Sequence, residues 1–192
     1  MAWLVAGLGN PGPEYAASRH NAGFWVVDEL ADRAGVRLSR DRHGALSAAA
    51  RLAGERVVLA EPQSYMNASG GPVQALLHYF RVPLDHLIVV HDDMDLPLGR
   101  LRVKRGGGHG GHNGLRSIHR AVGSGDYLRV KIGIGRPRAG RDATAHVLGR
   151  ITEAEAEVLG EVVARAADAV ETILREGVEA AMNRFNGALP AP

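Results

Sequence analysis

The chain has 192 residues, with 23 basic against 21 acidic side chains for a formal net charge of +2, and no cysteine. That length suits one domain with a substantial core and is short for two; the missing cysteines exclude a disulfide framework, a thiolate nucleophile and a zinc ribbon, and fit a reducing cytoplasm. The apolar start of MAWLVAGLGNPG runs for about seven residues without a basic flank, too short for a signal peptide or a membrane span.

In chain order, AWLVAGL (residues 2–8) predicts a strand and residues 20–34 a helix. ALSAAARL and RVVLAEP predict strands, residues 68–81 a helix, and LIVV (87–90) a fully buried strand. RLRVK (100–104), a short helix near 114–122 and YLRVKIGIG (127–135) follow. In the last of these, Leu128, Val130 and Ile132 alternate with Arg129 and Lys131, which predicts a strand with one basic face. Thr152 with Glu155 spells a capping box ahead of a long amphipathic helix. The order implies a single-domain, three-layer α/β sandwich over residues 1–187, with a twisted, mixed but largely parallel sheet flanked by helices. ALPAP (188–192) reads as a loose tail.

Charge is distributed unevenly along this order. Residues 1–99 carry 8 basic and 11 acidic groups, residues 100–141 carry 11 basic groups against Asp126 alone, and residues 142–192 carry 4 against 9. A positive field of that density around GGGHGGHNG (106–114) points to a polyanionic partner. Six glycines in nine positions are costly to order, so the loop is read as one that lets backbone approach a ligand closely.

Ligands of open α/β sheets bind outside the carboxyl ends of the strands. GNPG (9–12), PQSYMN (62–67) and HDDMD (91–95) all fall at such ends. His20 sits where the first helix begins and is available as a base. Asp92, one or two residues past a buried strand, is placed to orient it and to stabilise the imidazolium formed when it takes a proton from water. Asn10, Asn21, Asn67 and Asn113 supply amides that donate and accept without adding charge, as hydrolysis of a neutral ester or amide requires. His109 and His112 with Asp92, Asp93 and Asp95 make a poor metal frame, because the histidines ride on glycine and HDDMD offers no histidine pair at helical spacing. No G-x-S-x-G elbow, full dinucleotide fingerprint or Walker loop is present, so no cofactor is expected.

GLGNPGPEYAASRHNAGF (7–24), PQSYMNASG (62–70), HDDMDLPLG (91–99), GGGHGGHNGLRSI (106–118) and YLRVKIGIGRP (127–137) together resemble, in order and spacing, the bacterial-type peptidyl-tRNA hydrolases. The resemblance implies a metal-independent monomer that cleaves the ester joining a peptide to the terminal ribose of tRNA. It implies His20 as the base and Asp92 as its orienting carboxylate, with Asn10, Asn67 and Asn113 positioning water and substrate and Tyr15, Met66 and His112 lining the cleft. Arg102, Lys104, Arg105, Arg129 and Lys131 fall on the side expected to bind tRNA phosphates. Where the family's strand usually has R-x-R, this chain has Arg129 and Lys131; lysine keeps the charge and loses the bidentate fork, implying weaker phosphate contact there. Two other readings are an RNA-binding relative without hydrolysis, disfavoured because His20 and Asp92 are both present, and a nucleoside-binding or phosphorolytic enzyme on a similar sandwich, for which phosphate-cradling and ribose-binding candidates are weak.

Overall fold

Strand β1 (Trp3–Gly7) lies inside a seven-stranded sheet in the computed structural model, which describes residues 1–187; the ALPAP segment lies outside the described residues. In chain order there follow α1 (Ala22–Ala34), β2 (Ser39–Arg40), β3 (Ala45–Leu52), β4 (Glu55–Pro62), α2 (Gly70–Tyr79), β5 (Leu87–Asp93) and β6 (Leu101–Arg105). The order then continues with α3 (Asn113–Val122), β7 (Leu128–Gly133), α4 (Ala143–Leu148), α5 (Glu153–Glu176) and α6 (Val178–Phe185). The sheet runs β2-β3-β4-β1-β5-β7-β6. β4, β1, β5 and β7 are mutually parallel, whereas β2, β3 and β6 pair antiparallel at the flanks, which makes the sheet mixed as expected.

Alternation along the central strands loads both faces with apolar side chains, as a sheet covered on both sides requires. Val5, Leu59, Ile88, Val90, Val130 and Ile132 pack beneath α1, α5 and α6, while Leu4, Ala6, Val58 and Val89 meet Val73, Leu76, Leu115 and Ile118 of α2 and α3. The capping box at Thr152 and Glu155 forms, and Gly177 at φ 96° separates α5 from α6. β2, α4 and α6 were not expected from the sequence: β2 and α4 are too short to show a period, and α6 reads on from α5 until Gly177 breaks the pattern.

Two features fix the positions that matter below. Helix α1 docks with its first turn directly on the sheet backbone: a methyl on Gly23 would lie 2.3 Å from the Val90 carbonyl oxygen, and one on Gly7 would lie 2.2 Å from that of Gly23. Only glycine permits that approach. At the other side, β6 is an edge strand whose outward backbone is engaged by a side chain, since Asn186 Oδ1 accepts from the Val103 N–H (2.7 Å) and its Nδ2 donates to the Val103 carbonyl (2.8 Å).

Candidate active site

The close docking of α1 brings the turn just before it, Arg19–Asn21, over the carboxyl end of β5. A second clamp holds that turn from outside. Arg19 forms a two-pronged pair with Glu155 (2.9 and 2.7 Å) and donates to the His146 carbonyl (3.1 Å), while its N–H bonds the Gly149 carbonyl (3.2 Å). The His20 ring is therefore placed from both sides. Its Nδ1 lies 2.9 and 2.8 Å from the two carboxylate oxygens of Asp92. Asp92 is inside β5, opposite Ile132 of β7, and not beyond the strand as its polar surroundings in the sequence suggest. It shares the parity of Ile88 and Val90 and so points to the α1 face.

The same carboxylate holds a second histidine. His112 caps α3, its Nδ1 accepting from the N–H groups of Gly114 (3.1 Å) and Leu115 (3.3 Å), so its proton is on Nε2, which donates to Asp92 Oδ1 at 2.9 Å. Asp92 is 1% exposed. Burial by itself would raise its carboxyl, but the adjacent His20 and His112, by charge and hydrogen bonding, hold it well below the usual carboxylate range. With the Asp92 carboxylate accepting from Nδ1–H, His20 keeps a lone pair on Nε2 toward the cleft it lines. His91 completes the cluster from the opposite sheet face. Its Nδ1 donates to the Asp92 carbonyl (2.7 Å), its ring stands edge-on to His112, and burial first, then His112, push it well below the usual histidine range, so it stays neutral.

Asn10 and Asn21 exchange two hydrogen bonds, Asn10 N–H to Asn21 Oδ1 and Asn21 Nδ2 to the Asn10 carbonyl, both 2.9 Å. Asn10 Oδ1 in turn accepts the Met66 N–H at 2.7 Å, which ties the loops after β1 and β4 together. Met66 is buried against the start of α3, where a methyl on Gly114 would lie 2.6 Å from its sulfur. The three strand-end clusters therefore meet as expected. A cleft of about 590 Å³ opens beside them, lined by His20, Asp92, His112, Asn113, Lys104 and Lys131 among others, and by Gly108–Gly111. Asn10 and Met66, both buried behind it, are outside its walls, as are Tyr15, half-buried, and Asn67, exposed; the last two make no side-chain hydrogen bond to the described residues.

Two of the expected phosphate ligands are elsewhere. Arg105 has the parity of Leu101 and Val103, points to the α6 face and pairs with Glu179 at 2.9 Å. Arg129 has the right parity but lies under the glycine loop, 0% exposed, with its guanidinium on backbone carbonyls, so no phosphate reaches it. Arg102 and Lys104 remain on the expected face. They pair across strands with Lys131 and Arg129, and Lys131 leans on Asp93 at 3.7 Å. Burial, partly countered by Asp93, lowers the Lys131 ammonium, and Lys104, Arg129 and Arg102 lower it further. The sequence reading also missed Ala143, Thr144 and Val147 of α4 and Arg136 as cleft walls. Their one signal was the basic run ending at Arg141. His20, Asp92 and His112 are close enough to hold a cation; among the described residues no other group of three such ligands is found, and His109 is apart, its Nδ1 accepting the Gly111 N–H (2.9 Å).

A buried carboxylate aligning a histidine at the carboxyl ends of parallel strands, beside an open cleft and a basic face, is the equipment of a water-activating hydrolase with an anionic substrate. The chain belongs to the peptidyl-tRNA hydrolase family, whose model matches residues 4–191. It is 54% identical to the peptidyl-tRNA hydrolase of Frankia casuarinae over 97% of this chain and 95% of that one. It is 52% identical to that of Kineococcus radiotolerans, over 96% and 97%. The crystal structure of peptidyl-tRNA hydrolase from Acinetobacter baumannii superposes with a TM-score of 0.93 at 38% identity, covering 99% of this chain and 97% of that one.

Proposed function

We propose that the protein hydrolyses the ester between a peptide, or an N-blocked amino acid, and the 3′-terminal ribose of tRNA, with His20 as general base. The contact of His20 Nδ1 with the buried Asp92 carboxylate carries this reading, because it fixes the tautomer that leaves Nε2 free. Nε2 removes a proton from water as the oxygen attacks the ester carbonyl. Asp92 stabilises the resulting imidazolium, which returns the proton to the departing ribose oxygen when the tetrahedral intermediate collapses. Asn10, whose Nδ2 has no partner among the described residues, and Asn113 at the cleft wall position water and substrate.

The reading needs no metal, because His20 and His112 both donating to Asp92 already make a complete base and orienting carboxylate. Arg102, Lys104 and Lys131, with Arg136 at the cleft mouth, dock tRNA phosphates, and Asn67 and Tyr15 contact only bound substrate. The enzyme acts as a cytoplasmic monomer. The decisive experiment follows peptide release from purified N-blocked aminoacyl-tRNA, with free aminoacyl-tRNA as the control. His20→Ala should lose about 10²- to 10⁴-fold in turnover while still binding tRNA. Near-normal turnover would remove His20 from the mechanism.

A further inference from the structure

Inside the basic face lies a cation that no substrate reaches. The Arg129 guanidinium donates to the carbonyls of Gly108 (Nη1, 2.6 Å), Gly107 (Nη2, 2.6 Å) and Gly125 (Nη2, 2.8 Å), meets His119 Nε2 at 3.2 Å, and lies over the Tyr127 ring with 4.7 Å to its centroid. Among the described residues it makes no ion pair with a carboxylate. A buried cation held only by dipoles and a ring face is a poor stabiliser; an apolar side chain of similar volume commonly serves stability as well or better. Its partners suggest what it does instead.

Those partners bracket α3. Gly107 and Gly108 precede the helix, His119 lies within it, and Gly125 follows it. One planar group thus spans both ends of the helix that His112 caps. The loop between brace and helix costs much entropy to order: Gly106, Gly107, Gly110 and Gly111 all have positive φ, at 65°, 123°, 59° and 84°. Gly108 to His112 then form one wall of the cleft. From Arg129 a continuous chain of contacts therefore runs through the loop to His112, from His112 Nε2 to Asp92, and from Asp92 to His20 Nδ1.

We propose that Arg129 is a positioning residue for the hydrolytic site: it acts through the glycine loop to keep His112 on Asp92, and it binds no phosphate. The proposal rests on the reading of His20 and Asp92 given above. A fork of donors is essential to it. An ammonium keeps the charge but does not span carbonyls on both sides of α3, so Arg129→Lys should behave like Arg129→Met and not rescue it.

Both variants, confirmed as cooperatively folded, are to be compared with wild type on full-length N-blocked aminoacyl-tRNA and on a blocked amino acid carried by a short oligonucleotide. The expected result is a fall in kcat of at least about tenfold on both substrates, with KM for the long one and its salt dependence unchanged. Histidine ¹⁵N spectra should show His112 as a fixed Nε2–H tautomer in wild type and as an averaged one in both variants. Unchanged kcat with a raised KM and a flatter salt dependence would mean a phosphate contact. Unchanged kcat with an unchanged His112 signal would mean the brace transmits nothing, and full activity in Arg129→Lys alone would mean that charge suffices; each of these overturns the proposal. If neither variant folds, His119→Leu removes the 3.2 Å contact, together with the ring contacts of His119 to Tyr127 and His109, and leaves the three carbonyls on Arg129. It should broaden the His112 signal and lower kcat several-fold, and no change in either overturns the proposal. A wild type inactive on peptidyl-tRNA would sink the functional reading separately, since the His112 spectra test the brace without turnover.

Discussion

Replacing Asp92 by asparagine keeps the shape of the side chain and removes one acceptor, and the geometry dictates which histidine suffers. Oδ1 accepts from both His20 and His112, each at 2.9 Å, whereas Oδ2 accepts from His20 alone at 2.8 Å. With the amide nitrogen in the Oδ1 place, it would face the Nε2–H of His112, which cannot move its proton because Nδ1 already accepts from Gly114 and Leu115. The amide therefore settles with its oxygen at Oδ1 and its nitrogen against His20 Nδ1. That arrangement draws the proton of His20 to Nε2, the atom required to take one from water. Restoring the productive tautomer forfeits a charge-assisted hydrogen bond and leaves the imidazolium without its buried counter-charge, together about 3–5 kcal/mol. This corresponds to roughly 10²- to 10⁴-fold in kcat. Single-turnover hydrolysis of N-blocked aminoacyl-tRNA by Asp92→Asn measures it, with histidine ¹⁵N shifts reporting the tautomer. Turnover within tenfold of wild type would refute the tautomer argument.

Arg102→Ala, at an exposed position outside the cleft walls, should raise KM for full-length tRNA substrates and flatten the log–log salt slope by about 0.7–0.9, while sparing a short substrate. Lys104→Ala should impair both substrates, because Lys104 also lines the cleft; equal losses on both substrates for Arg102→Ala would end its assignment to tRNA docking. Gly23→Ala should destabilise the fold by more than about 1–3 kcal/mol in urea melts, since its methyl meets the Val90 and Leu8 backbone and the first turn of α1 must lift from the sheet. Far from the cleft, burial and then Asp28 push the Glu61 carboxyl up to about 10. The folded state thus holds a proton that the unfolded chain has released above the ordinary carboxylate range. Stability should fall as pH rises from about 5 toward 10, by up to about 1.4 kcal/mol per unit, and Glu61→Gln should abolish that slope in urea midpoints taken across the range.

How far the sequence carried depends on which physical rule each residue answers to. Period-2 alternation and strand-end position are local, so the sequence alone places Asn10, Met66, His20 and Asp92 at one end of the sheet. Alternation also assigned Arg129 and Lys131 correctly to one face. It says nothing about depth on that face, and depth separates a cation that meets solvent from one roofed by Gly107 and Gly108. Arg105 was assigned by charge density alone, although its parity with Val103 already placed it opposite. The roles of His91 and of α4 depend on tertiary neighbours, His112 and Arg19, that no spacing in the chain reveals.

The amide of Asn186 on Val103 has a consequence for how the protein survives at high concentration. An edge strand with free N–H and C=O groups is a template on which another molecule can lay a strand, and a run of such additions is how sheets grow into fibrils. Here the β6 rim is occupied by a side chain that mimics the next strand's donor and acceptor at one residue, with α6 packed alongside. The opposite rim is β2, two residues long and exposed, bearing Arg40, which offers almost no template. A sheet stopped in this way at both margins gives one molecule of the hydrolase no open rim on which a second could lay a strand.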